Sequence, residues 1–135
     1  FVTAFLGVLD TSTHKLTYHA GGQGPILQFH AGRLESTLAT ATTLPMGMMT
    51  IFKPMESRIA HMEKGDILAA ITDGIYEYED RQGQMFGEER VVDIVQREAG
   101  STAGRILDRI VEEVAAFAAG APQKDDMTLL IVKRL

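Results

Sequence analysis

Two short acidic motifs are where this chain could do chemistry. Thr72-Asp73-Gly74 closes an apolar run, Ile67 to Thr72, and Asp125-Asp126-Met127-Thr128 opens another, Met127 to Val132. A carboxylate beside a core strand is costly unless a turn, a helix cap or a cation satisfies it. Clustered carboxylates repel one another, and a divalent metal turns that repulsion into binding. With no cysteine and four scattered histidines, the donor chemistry suits Mg2+ or Mn2+ better than Zn2+. The lack of cysteine also removes disulfides, thiolate zinc sites and cysteine nucleophiles. Each motif has a plainer reading. Asp-Gly is among the commonest turn dipeptides, and Asp-Asp before a strand is ordinary.

Other chemically capable residues read as structural. His14, His19 and His30 fall in or beside strands, His61 lies in a strand, and no pair has i, i+4 spacing. They read as surface or sheet-face residues. Met46, Met48 and Met49 read as a packing loop.

The elements that must position the acids follow from periodicity. Val2 to Leu9 is apolar on both faces and predicts a central buried strand. Asp10 to Thr13 is a turn. His14 to Ala20 alternates, Leu16 and Tyr18 against Lys15, Thr17 and His19, as in a strand with one core face. Gly21 to Pro25 is a tight loop, Ile26 to His30 a third strand, and His30 to Arg33 a hairpin connection. Together these predict a β-meander. Residues 35 to 54 are the least regular stretch, with Leu44-Pro45-Met46-Gly47 as a loop. Glu56 to Met62 is a strand and Lys64-Gly65-Asp66 a turn. Two helices follow. One opens with Glu88 and Glu89 and stops at Gly100; the next has Ser101 as its N-cap and is ended by Gly120 and Pro122. Strands, then helices, then a returning strand predict an α+β domain with helices on a mostly antiparallel sheet.

Composition narrows the partners. A single domain fits 135 residues, and 45% hydrophobic content supports a packed core. The net charge is −5 and the basic residues form no stripe, which disfavours nucleic acid. No apolar run approaches the roughly 20 residues needed to span a bilayer, and no signal peptide is visible. No membrane contact is expected from this segment, and cytoplasm is the default compartment. Phe1 to Leu9 opens in mid-strand without a turn or polar lead, so further residues are expected upstream.

In order along the chain, six segments resemble the SpoIIE/RsbU-like branch of the PPM-type metal-dependent protein phosphatases. They are Phe1-Val2-Thr3-Ala4 through Asp10; Tyr18-His19-Ala20-Gly21 with Gly24-Pro25-Ile26-Leu27; Leu44-Pro45-Met46-Gly47; Gly65-Asp66-Ile67-Leu68 with Thr72-Asp73-Gly74-Ile75-Tyr76-Glu77; Gly83 to Arg90; and Asp125-Asp126-Met127-Thr128-Leu129-Leu130. The resemblance implies a mostly antiparallel β-sandwich with flanking helices, and two Mn2+ or Mg2+ ions that activate a water against phosphoserine or phosphothreonine. It implies Asp73 and Asp125 as metal ligands, Gly74 as backbone beside the metals, and Asp126 as a residue that orients the ligands. Glu77 matches the motif without an implied role. The implied substrate is a phosphorylated anti-sigma-factor antagonist, and the implied regulator is an upstream sensor or receiver domain. Two family aspartate motifs and a first helical layer would lie upstream of Phe1. Residues 1 to 135 therefore read as a partial, N-terminally truncated phosphatase domain, inactive alone, with one sheet face left bare and apolar. Gly22-Gln23 departs from the His-Pro of many relatives. The alternative is a non-catalytic, phosphatase-like interaction module; a generic α+β domain with plain turns at the acids is the third reading.

Overall fold

The computed structural model describes residues 1–48 and 56–135. Met49 of the methionine loop lies outside the described residues, as does part of the irregular stretch. Among the described residues there are ten elements: β1 (Ala4–Asp10), β2 (Lys15–Gly21), β3 (Ile26–His30), β4 (Glu35–Ala39), β5 (Arg58–His61), β6 (Ile67–Ile71), α1 (Asp73–Tyr76), α2 (Glu88–Arg97), α3 (Ala103–Ala118) and β7 (Leu129–Lys133). They form two antiparallel sheets, one ordered β1-β2-β5 and one ordered β4-β3-β6-β7. The α+β sandwich with flanking helices is the architecture read from the sequence.

Side-chain alternation divides the apolar residues between two interfaces. Between the sheets, Leu16, Tyr18, Ile26, Met62 and Leu68 are buried, and Phe5 packs on Tyr18 with ring centroids 5.2 Å apart. On the other face of the four-stranded sheet, Leu27, Phe29, Ile67, Ala69 and Ile71 pack against Val91, Ile94 and Val95 of α2 and Ile106, Ile110 and Val114 of α3. β6 contributes to both, which explains its unbroken apolar run. The Lys133 ammonium donates to the Ala99 and Ser101 carbonyls at 2.7 and 2.6 Å, pinning the α2–α3 connection to β7.

Several expectations are corrected. β1 is an edge strand: Leu6 and Val8 are 74% and 73% exposed. Their face, shared through the strand register with His19, Thr17 and Ile59, is covered by no described element, whereas Phe5 and Gly7 face the sheet interface. The β-meander ends after β2, because β3 pairs in the second sheet. Glu35–Ala39 is not irregular. It completes a hairpin with β3 in continuous register, from His30 opposite Glu35 to Ile26 opposite Ala39. α3 is capped by Thr102, whose side-chain oxygen accepts from the Arg105 amide at 3.2 Å, while the Ser101 hydroxyl donates to Glu98. The expected strand at Glu56 to Met62 is shorter, Arg58–His61.

Candidate active site

The site begins where β6 stops. Thr72 is extended, with φ −82° and ψ 159°, and the chain then turns into α1, a single helical turn unrecognised in the sequence. Ile75 and Tyr76 are buried, while Asp73 and Glu77 face solvent. The Tyr76 hydroxyl lies 3.2 Å from the Pro25 carbonyl and 3.3 Å from that of Ile71, anchoring α1 to the sheet. Burial raises the Tyr76 phenol above its ordinary pKa, and the Glu88 and Asp73 carboxylates push it the same way.

The second acidic motif arrives through the sheet register. Antiparallel pairing sets Ile71 opposite Leu129. One residue beyond, the Thr72 amide donates to the Thr128 carbonyl at 3.1 Å, and the Thr128 amide donates to the Thr72 hydroxyl oxygen at 2.8 Å. The Thr72 hydroxyl in turn lies 3.2 Å from the Asp126 carbonyl oxygen. Gly74 then runs against the same backbone. A β-carbon on Gly74 would sit 2.3 Å from the Asp126 carbonyl oxygen and 2.9 Å from its carbon. Only glycine permits this approach, and it places Asp73 beside the Asp125-Asp126 segment.

Local bonds orient the carboxylates. Asp73 Oδ1 accepts from the Gly74 amide at 3.0 Å, and Asp125 Oδ1 accepts from the Asp126 amide at 2.7 Å. Asp73, Asp125 and Asp126 are all exposed. A cleft of about 180 Å³ adjoins them, lined by Gly74, Glu77, Tyr78, Glu79, Pro122, Lys124 and Asp125. Lys124 crosses to Glu79 at 2.6 Å, and the Tyr78 hydroxyl donates to the Ala121 carbonyl at 3.0 Å. These two contacts hold the 121–124 segment to the residues that follow α1.

The structure brings Gly74, the residue that follows Asp73, against the backbone of Asp125 and Asp126. The side-chain donors of Asp73, Asp125 and Asp126 are all oxygens, which fits a hard divalent cation. Among the described residues no group of three or more His, Cys, Asp or Glu side chains is arranged to hold a metal ion. Sequence reading missed the bridging role of Thr72, the Lys124–Glu79 pair and the buried acid Asp66. Asp66 lies at the opposite end of β6, where its carboxylate accepts from the Ala31 and Glu63 amides at 2.8 and 2.9 Å and approaches His30 at 3.5 Å. Every one of those partners is structural, so Asp66 stitches loops together away from the acidic cluster.

The model of the Stage II sporulation protein E (SpoIIE) family matches residues 1–135. The chain belongs to the SpoIIE family. Among curated proteins, Protein IcfG of Synechocystis is 28% identical over 138 residues, covering 99% of this chain and 21% of IcfG. The SiaA-PP2C domain of Pseudomonas aeruginosa shares the fold at a TM-score of 0.79 and 18% identity, covering 97% of this chain and 51% of that one. The PP2C phosphatase domain of Bacillus subtilis SpoIIE, solved with a fragment of its regulatory domain, matches at a TM-score of 0.75 and 22% identity, covering 97% of this chain and 37% of that one. The chain thus spans about a fifth of its curated relative and about half or less of these structural neighbours. The six ordered motifs identify this SpoIIE/RsbU-like family correctly, and the fold is that of its PP2C-type phosphatase domains.

Proposed function

We infer that this SpoIIE-family chain is the C-terminal part of a metal-dependent serine/threonine protein phosphatase domain. The observation that carries the reading is the junction of β6 and β7, where Thr72 and Gly74 seat Asp73 beside Asp125 and Asp126. Asp73 and Asp125 would hold Mn2+ or Mg2+. Two structural neighbours support that choice: a manganese-presoaked form of the Bacillus subtilis SpoIIE phosphatase domain, and RsbX in complex with magnesium. Such a cation, when bound, lowers the pKa of water and neutralises charge on a phosphoryl group. The work of this chain is positional. Asp126 orients its neighbour through the hydrogen bond that its backbone amide donates to Asp125 Oδ1. Gly74 keeps side-chain atoms out of the junction, and the exposed carboxylates leave room for a protein-borne phosphate. No covalent protein nucleophile is needed.

The substrate is proposed to be a phosphorylated regulatory protein of the anti-sigma-factor antagonist type, with an upstream sensor or receiver domain as regulator. The family likeness to SpoIIE and RsbU supports both. Cytoplasm is the proposed compartment; no helix among the described residues is long and apolar enough to cross a membrane. The remaining metal ligands are proposed to come from residues beyond this chain; among the described residues no group of three or more His, Cys, Asp or Glu side chains could hold a metal ion. The isolated chain is accordingly expected to be inactive. Asp73→Asn in the full-length protein tests the reading: it should abolish Mn2+-dependent phosphate release from a phosphoserine protein. Near wild-type turnover in that variant would overturn it. An inactive full-length protein that folds and binds Mn2+ would favour the interaction-module reading instead.

A further inference from the structure

We propose that Thr72 is a positioning residue for the acidic loop, its hydroxyl fixing the Asp125-Asp126 backbone against Gly74 before any metal arrives. The proposal rests on the functional reading for its consequence and on geometry alone for its structural part. A threonine hydroxyl has one proton to donate and lone pairs to accept. Thr72 uses both. Its oxygen accepts the Thr128 amide at 2.8 Å. Its proton has two carbonyls in reach, Asp126 at 3.2 Å and Thr128 at 3.4 Å. The Thr128 carbonyl already receives the Thr72 amide at 3.1 Å, whereas the Asp126 carbonyl has no other donor among the described residues. The proton therefore belongs on Asp126, the carbonyl that also meets Gly74 most closely.

These contacts control one degree of freedom. β6 and β7 end their regular pairing at Ile71 and Leu129. Beyond that point one backbone bond remains, from the Thr72 amide to the Thr128 carbonyl, and the Thr72 side chain adds links to residues 54 and 56 positions away in sequence. Gly74 prevents a clash but attracts nothing; the Thr72 hydroxyl supplies the attraction that holds the loop in the space glycine leaves open. Asp125 follows, because its carboxylate is oriented by the amide of Asp126, the residue whose carbonyl Thr72 holds. Valine has the shape of threonine without the hydroxyl, and serine keeps the hydroxyl while losing a methyl group. The two substitutions separate packing from hydrogen bonding.

The test compares wild type, Thr72→Val and Thr72→Ser in the full-length protein by amide hydrogen exchange without metal and by calorimetric titration with Mn2+. Thr72→Val should speed exchange in the peptide spanning residues 125–129 by tenfold or more, leave α3 peptides unchanged, and weaken Mn2+ binding three- to tenfold. Thr72→Ser should restore most of both. Unchanged exchange at 125–129, equal loss in the Ser and Val variants, or faster exchange spreading through α3 would overturn the positioning role. Asp73→Asn in the same titration separates this from the functional reading. If Asp73→Asn binds Mn2+ like wild type while Thr72→Val still loosens the loop, the metal assignment falls and the hydroxyl staple stands.

Discussion

Gly74 shows how much one missing β-carbon can decide. Its absence lets two acidic segments meet, and the atom a side chain would strike is backbone, which cannot swing aside. Gly74→Ala should therefore cost about 1–3 kcal/mol, the range for forcing extra volume into a filled space, read as a lower denaturant midpoint at unchanged slope. Its Mn2+ affinity should fall as well. Tyr76 offers a pH-dependent check. Its folded pKa lies above the unfolded value because burial disfavours the phenolate, with Glu88 and then Asp73 adding repulsion. The sign follows: the neutral phenol's contribution is complete below the unfolded pKa and is lost as pH rises from about 10 toward the folded value. Tyr76→Phe should flatten that alkaline loss in a pH series of unfolding curves. It should also cost about 1 kcal/mol at neutral pH through the bonds to Pro25 and Ile71. The acids themselves were legible in the sequence, since they flank apolar runs. Thr72 was not, because its partners lie 54 and 56 residues away and only the strand register brings them near. Asp66 was hidden in the same way, behind a turn motif that gives no sign of the amides it receives.

Elements with strong periodicity were the readable ones. The two long helices follow from apolar stripes at helical spacing, and β6 from its continuous apolar run. β4 escaped detection because Glu35–Ala39 has little apolar alternation and is a strand by virtue of its partner β3. α1 escaped because a single turn has no period to detect; its burial against the sheet makes it helical. The N-cap of α3 was displaced by one residue, from Ser101 to Thr102, a choice between adjacent hydroxyls that composition cannot make. Thr102→Ala should cost about 1 kcal/mol, while Ser101→Ala should cost only a few tenths, a contrast measurable by chemical denaturation. The Lys124–Glu79 bridge is partly solvent-exposed, so screening limits its worth to under about 1 kcal/mol. Its rupture in Lys124→Met should loosen the 121–124 segment in amide exchange while leaving global stability nearly unchanged.

In its described residues the molecule is a sandwich with helices on one side and, on the other, a sheet face that no described element covers. Leu6, Val8 and Ile59 are exposed on the uncovered face of the three-stranded sheet. Apolar surface gathered on one face promotes association. A protein consisting of residues 1–135 alone should self-associate with rising concentration in sedimentation, and Leu6→Lys with Val8→Lys should reduce that association. Family membership covers all 135 residues, and the fold recurs in PP2C domains of which this chain spans about half or less. The most direct test is Mn2+-dependent phosphate release from a phosphoserine protein, measured on the full-length protein, its Asp73→Asn variant and residues 1–135 alone. The account predicts release by the full-length protein only. Release by the Asp73→Asn variant at the wild-type rate would contradict it.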